Sequence, residues 1–212
     1  MDNNIASRNR LLAERVIRGL KSRNMTGYYA ENKEEALKKA LEIIPEGATV
    51  GWGGSVSVNE IGLKEAVISG NYNALNREAC KTPEEKEKLQ REVFFADYFL
   101  SSSNAVTEDG ILVNIDGNAN RIAAIAYGPK HVLMIVGINK VTRDVETAIS
   151  RARNVAAPIN AQRFPLATPC KKTGVCADCK SPDSICCEFL ITRLSRHKDR
   201  IHVILVGEEL GY

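Results

Sequence analysis

Apolar runs that end in Gly-, Asn- or Ser-rich turns and give way to helical segments recur along this chain, and that alternation points to an α/β fold. Residues 48–52 run into Gly51-Trp52-Gly53-Gly54-Ser55, and residues 98–100 run into Ser101-Ser102-Ser103-Asn104. Residues 111–115 lead to Asp116-Gly117-Asn118-Ala119-Asn120-Arg121, and residues 132–136 lead to Gly137-Ile138-Asn139-Lys140. Residues 201–206 (IHVILV) supply a last strand that rejoins the sheet. The pattern predicts a mostly parallel open sheet flanked by helices. It sets polar turns along one sheet edge, where open α/β sheets bind ligands.

Helices are expected over residues 4–23, 32–44, 83–94, 121–127 and 143–156. The second ends at Pro45 and Gly47, and Thr82 caps the 83–94 helix with Pro83 in its first turn. The spacing of Ser57 and Glu60 is that of a capping box, so another helix should start near Val58. The pattern breaks after Pro158.

A chain of 212 residues buries a substantial core as a single domain. It divides into an N-terminal helical segment over about 1–45, the α/β body, and a cysteine-rich loop over about 164–188. The net charge of +3 comes from interspersed residues and aromatics make up 6%, which argues against a nucleic-acid partner. No apolar stretch approaches the ~18 residues of a membrane span, and the amphipathic N-terminus lacks a signal peptide's apolar core. A cytoplasmic protein is expected.

Glycines 51, 53 and 54 with Ser55 join a strand to a helix, where the backbone can approach an anion closely. The spacing is neither the dinucleotide nor the P-loop fingerprint, and no flavin or nicotinamide motif occurs elsewhere. Tight packing explains such a turn equally well. Asp116-Gly117-Asn118 is either a ligand contact or a turn satisfying its own backbone. Arg121, one turn into the next helix, adds a cation if it points back to the strand ends, and the hydroxyls and amide of residues 101–104 add polar contacts. Gly137, Asn139 and Lys140 end another strand, with Lys140 either a surface lysine or a ligand contact. Glu60 and Glu108 are the candidate acid–base carboxylates, although Glu108-Asp109-Gly110 also reads as a solvated turn. His131, His197 and His202 read as structural, and no Ser-His-Asp arrangement can be assembled from spacing.

Five of the six cysteines lie between Cys170 and Cys187. Cys176 and Cys179 form a C-x-x-C hook bracketed by Cys170 and Cys186. Four thiolates suit an iron–sulfur cluster, [4Fe-4S] in type, or tetrahedral zinc. A metal-free loop and a Cys176–Cys179 redox disulfide are the competing readings. Cys187, beside Cys186, is left as a spare, and Cys80 as an ordinary thiol.

The segments GWGGSVSVNEIGL, SSSNAVTEDGILVNIDGNANRIAAIAYGPKHVLMIVGINKV and NVAAPINAQR, in that order, resemble the LUD family of lactate-utilisation proteins. The resemblance covers about residues 10–190 and implies a fold related to CoA-transferases and ribose-phosphate isomerases (NagB/RpiA-like), which bind anions at strand ends. It implies site positions at Gly53, Gly54, Ser55, Glu60, Asn104, Glu108, Asp116, Gly117, Asn118, Arg121, Gly137, Asn139 and Lys140. It also implies a part in oxidising lactate to pyruvate within multi-component iron–sulfur systems. The chain departs from the larger component in lacking a C-x-x-C-x-x-C run, and from the smallest in carrying its own cysteine cluster.

Three functions follow. The first is an oxidoreductase component binding a small carboxylate at the crevice, with an iron–sulfur cluster and a redox partner protein. The second is a transferase or isomerase for a phosphorylated or CoA-linked ligand, with a structural zinc. The third is a non-catalytic ligand-sensing subunit. Homo-oligomerisation is compatible with all three.

Overall fold

The computed structural model describes residues 2–212. In chain order its elements are α1 (Asn3–Ser22), β1 (Thr26–Ala30), α2 (Lys33–Ile43), β2 (Thr49–Trp52), α3 (Val56–Glu60), α4 (Leu63–Ser69), β3 (Asn73–Ala74), α5 (Pro83–Glu92) and β4 (Tyr98–Ser101). There follow β5 (Ala105–Thr107), β6 (Leu112–Asp116), α6 (Asn120–Ala126), β7 (His131–Gly137), β8 (Val141–Thr142), α7 (Val145–Arg151), α8 (Ala157–Ala161), α9 (Pro169–Thr173), β9 (Glu188–Thr192) and β10 (Ile201–Val206).

The body is a six-stranded sheet in the order β1-β10-β7-β4-β2-β3, parallel throughout. Its inner strands β10, β7, β4 and β2 are buried on both faces, which explains their near-continuous apolar composition, while the edge strands β1 and β3 are partly exposed. Because side chains alternate across a strand, Leu133, Ile135, Ile204 and Val206 pack on one face with α2 and α4, through Ala36, Ala40, Leu63 and Val67. Val132, Met134, Val203 and Leu205 pack on the other with α1 and α6, through Ala13, Val16, Leu20 and Ile125. From β2 the chain goes outward to β3 and then returns past β2 to β4, so the order reverses between β2 and β4. The carboxyl ends of those two strands open a crevice there.

The expected open parallel sheet flanked by helices is observed, with local differences. Strand β6 does not belong to it. A second sheet, β8-β5-β6-β9, pairs β6 antiparallel to both β5 and β9. The hairpin joining β5 to β6 turns at Gly110, whose φ of +88° suits glycine. A Cβ on Gly110 would stand 2.4 Å from Leu20 N, so the turn is wedged against α1.

The helix after β2 is capped by Ser55, not Ser57: the Ser55 hydroxyl accepts from Val58 N at 3.3 Å. Thr82 caps α5 as expected, accepting from Glu85 N at 3.2 Å. The helical stretch beginning with α7 does not stop before Pro158. A π-helical turn over Ala152–Ala156 leads into α8, and that wider turn accommodates the missing N–H of Pro158. No helix among the described residues is long and apolar enough to cross a membrane.

Candidate functional site

At the switch point the ends of β2, β4 and β6, with Lys140 after β7, surround a cavity of about 280 Å³. Gly54, Ser55, Asn104, Asp116, Gly117, Asn118, Arg121 and Lys140 all line it, so eight of the candidates separated in sequence meet in one place. Arg77, Arg121 and Arg163 face a single acidic residue, Asp116, on its walls, with the Lys140 amine beside them. Such an excess of positive charge favours an anionic occupant.

Arg121 does point back to the strand ends, and its guanidinium is fully engaged there. Nη1 donates to Asn114 Oδ1 at 2.7 Å and to Ser102 O at 3.4 Å. Nη2 donates to Ile115 O at 2.6 Å and to Asn104 Oδ1 at 3.2 Å, while Nε faces Asp116 Oδ2 at 3.4 Å. Burial lowers its pKa and Asp116 opposes the shift, but a guanidinium stays charged. With its nitrogens so occupied, Arg121 is a strut that fixes the β4 end against β6. Arg77, which shares its Nε with Glu78, and Arg163, whose Nη1 donates to Asn160, keep donors for a ligand.

Lys140 is not a surface lysine. It is 2% exposed, and its Nζ lies 2.9 Å from Ser57 Oγ and 3.1 Å from Ser102 Oγ. Burial lowers its pKa to about 7; Arg151 and Arg121 add to that and Glu60 opposes it.

The other candidates take different positions. Gly51 lies within β2 and does not line the cavity; a Cβ there would meet a Val93 methyl at 2.7 Å, so close packing requires the glycine. Gly53 makes room for Arg121, whose Cγ would lie 2.9 Å from its Cβ. Glu60 accepts from Gly211 N at 2.8 Å, and Asn139 accepts from Leu210 N at 3.1 Å. A Cβ on Gly137 would lie 2.5 Å from Leu210 N, so these three residues hold the segment after β10. Glu108 lies away from the cavity, paired with Arg15 of α1 at 3.1 Å. His131 opens β7 and His202 is the second residue of β10, at the opposite end of the strands from the cavity.

The cysteine-rich loop forms one wall. Phe164 and Ile185 line the cavity, Ile185 Cα would lie 3.0 Å from a Cβ on Gly117, and Cys187 N donates to Asp116 O at 3.0 Å. Cys186 is half-buried against the cluster of Ala105, Val113, Ile115, Ala148 and Ala152. Its thiol pKa is pushed up to about 11, by burial first and then by Cys176, Cys170, Cys179 and Cys187 around it. The five cysteines of the loop therefore share one neighbourhood, and Arg153 Nη2 approaches Cys176 Sγ at 3.8 Å. Among the described residues, no three His, Cys, Asp or Glu side chains stand in a ligating array. The thiolates are right in kind for a metal but do not form a ligand set as they stand.

Sequence reasoning missed Arg77 and Phe164 as lining residues and Ser57 as a partner of Lys140. Arg77 follows β3, a two-residue strand with no periodicity to reveal it. Arg163 and Asn160 lie in the third family-like segment, NVAAPINAQR, but only the fold brings that segment to the strand ends.

Fold and site together define a parallel α/β protein with a cationic pocket at its topological switch point. A family model described as the LUD domain matches residues 13–206, and the chain belongs to that family. It is thereby a relative of the lactate-utilisation proteins. The fold is similar to that of a DUF162 family protein from Deinococcus radiodurans, with 14% identity, 94% of this chain and 98% of that chain covered, and a TM-score of 0.53. Ribose 5 phosphate isomerase A from Neisseria gonorrhoeae is more distant, with a TM-score of 0.40 at 14% identity over 85% of this chain and 95% of that one. No curated protein matches the chain.

Proposed function

We propose that this chain is an oxidoreductase component that binds lactate or a related 2-hydroxy acid in the switch-point cavity. We propose with it an iron–sulfur cluster of the [4Fe-4S] type held by Cys170, Cys176, Cys179 and Cys186. The observation that carries this reading is the contact between the two sites: the cysteine loop supplies Phe164 and Ile185 to the cavity and bonds to Asp116 through Cys187.

Oxidation of a 2-hydroxy acid to a 2-oxo acid releases two electrons and two protons. A four-cysteine cluster supplies one-electron transfer when bound. Arg77 and Arg163 hold the substrate carboxylate, Arg121 keeps the strand ends rigid, and a redox partner protein takes the electrons onward.

A second reading, a transferase or isomerase for a phosphorylated or CoA-linked ligand with structural zinc, is favoured by the same cationic walls and by the absence of a nicotinamide or flavin motif. Anaerobic purification followed by an absorption spectrum and iron, sulfide and zinc analysis separates the two. The redox reading expects brown protein with about four irons and four sulfides per chain and lactate-dependent reduction of an artificial acceptor. Cys176→Ser should lose the metal and Cys80→Ser should keep it. Colourless protein with stoichiometric zinc supports the transferase reading, and protein with neither metal overturns both assignments of the cysteines.

A further inference from the structure

Nothing in the lactate reading uses the two serines that hold Lys140. Ser57 is 1% exposed, Ser102 is 8% exposed, and Lys140 Nζ bridges their hydroxyls. No carboxylate forms an ion pair with this ammonium position among the described residues; Glu60 influences it only at longer range and is bonded to Gly211. A buried lysine held by two hydroxyls alone calls for an explanation, because an unpaired buried charge is costly.

The hydrogen-bond inventory gives one. The Ser57 hydroxyl proton has no acceptor other than Lys140 Nζ among the described residues. An ammonium only donates, and would strand that proton in the interior. An uncharged amine has one lone pair and two N–H groups, so it can accept from one serine while donating to the other. Rotation of the hydroxyls exchanges the two arrangements. In the resting one Ser57 donates to the amine, the amine donates to Ser102, and the Ser102 proton points to Ser103 O at 3.4 Å; in the reactive one the lone pair faces Ser102 and can take its proton, while the Ser57 proton is transiently without an acceptor.

Ser102 sits where such chemistry would be useful. It directly follows β4 at the switch point and lines the cavity together with Lys140. Its carbonyl is fixed from two sides, by Arg121 Nη1 at 3.4 Å and Ser101 Oγ at 3.2 Å. The Ser103 hydroxyl, one residue on, is occupied by Ala105 O at 2.7 Å and Val113 O at 3.1 Å, so the neighbouring serine is not equivalent.

We infer that Ser102 and Lys140 form a serine–lysine nucleophilic pair, with Ser57 as the positioning residue of the amine, acting on an ester or thioester whose anionic portion is held by Arg77 and Arg163. Serine paired with lysine is a known form of the activated nucleophile. Ser102 Oγ forms a bond to the acyl carbon as its proton passes to Lys140 Nζ. The bond to the leaving alkoxide or thiolate breaks, and that group departs with the proton. Water then cleaves the acyl-serine by the same route, giving a carboxylic acid and an alcohol or thiol overall with no change of oxidation state. The activity needs no metal and stands apart from the lactate reading, so either can fail without the other.

The test is labelling of the full-length protein with an alkyl fluorophosphonate, located by peptide mass spectrometry. Here the Ser102 Oγ–P bond forms, the P–F bond breaks, and the serine proton is taken up by Lys140. One adduct per chain is expected on Ser102, absent from Ser102→Ala and present at the parent rate in Ser103→Ala. Lys140→Met, confirmed as folded by circular dichroism, should label at least tenfold more slowly. Should Lys140→Met not fold, Ser57→Ala reports on the same pair, with a several-fold slower rate expected. No adduct between pH 6 and 9, or an adduct on another residue, overturns the nucleophile; a Ser102 rate unchanged in the lysine and Ser57 variants overturns the pairing.

Discussion

The surroundings of Lys140 lower its proton affinity strongly, and the consequence for stability has a definite sign. Desolvation lowers its pKa from 10.5 to about 7, with Arg151 and Arg121 acting in the same direction and Glu60 against. Below about pH 7 both folded and unfolded chains hold the proton, and the folded state carries the whole penalty of a buried charge. Between there and 10.5 the unfolded chain binds more protons than the folded one, so this group makes stability rise with pH, by up to roughly 1.4 kcal/mol per unit. Lys140→Met should lack that slope. Urea unfolding of parent and variant from pH 6 to 9.5 checks it: the parent should gain relative to the variant as pH rises, and a gap independent of pH would mean that Lys140 titrates normally. Sequence could place Lys140 at a strand end but could not show its burial, because Ser57 and Ser102 reach it from segments 83 and 38 residues away. The same limit applies to Glu108. Its motif position is legible, but its pairing with Arg15 of α1, away from the cavity, is a tertiary contact between residues 93 apart in the chain.

At the scale of elements, periodicity and turn chemistry show most of the parallel sheet, since β2, β4, β7 and β10 are apolar runs with clear ends. They could not reveal β1, whose five residues TGYYA carry no run of aliphatics, nor the second sheet. A short strand such as β5 has too few residues to display alternation, and its antiparallel partner β6 is apolar like a parallel strand. The cysteine loop is legible only as a list of thiols. Its anchoring to the body is tertiary: β9 pairs with β6 over five residues, and Cys187 N reaches Asp116 O. The loop is thus a separate cover resting on a complete sheet, and if it holds the proposed metal, losing that metal should loosen the loop alone. Hydrogen exchange on metal-bearing parent and Cys176→Ser tests this. Faster exchange is expected over residues 166–187, with β4, β7 and β10 unchanged. Equal loss of protection throughout the sheet would show that the cysteines hold the whole fold.

Across the whole molecule, the cavity is the place where separate parts of the fold meet: strand ends of the main sheet, the end of β6 from the second, Arg163 just beyond α8, and the cysteine loop. An anion bound there touches each of them and stabilises the folded state by mass action, by about 2.7 kcal/mol at a hundred times its dissociation constant. For a chain of this size that corresponds to a rise in melting temperature of roughly 5–10 °C. Lactate, pyruvate and neutral glycerol compared by thermal shift should therefore separate, with the carboxylates stabilising and glycerol not. Arg77→Ala and Arg163→Ala should each weaken the carboxylate effect several-fold at unchanged basal stability, since both are partly exposed and held by only one polar contact in their own segments. Because attraction between charges in an open crevice is screened by salt, the carboxylate shift should also shrink between 50 and 500 mM salt. A shift equal in both arginine variants and indifferent to salt would place the ligand elsewhere on the molecule. A shift lost in both would tie the cationic crevice, and through its shared wall the cysteine loop, to one small acid.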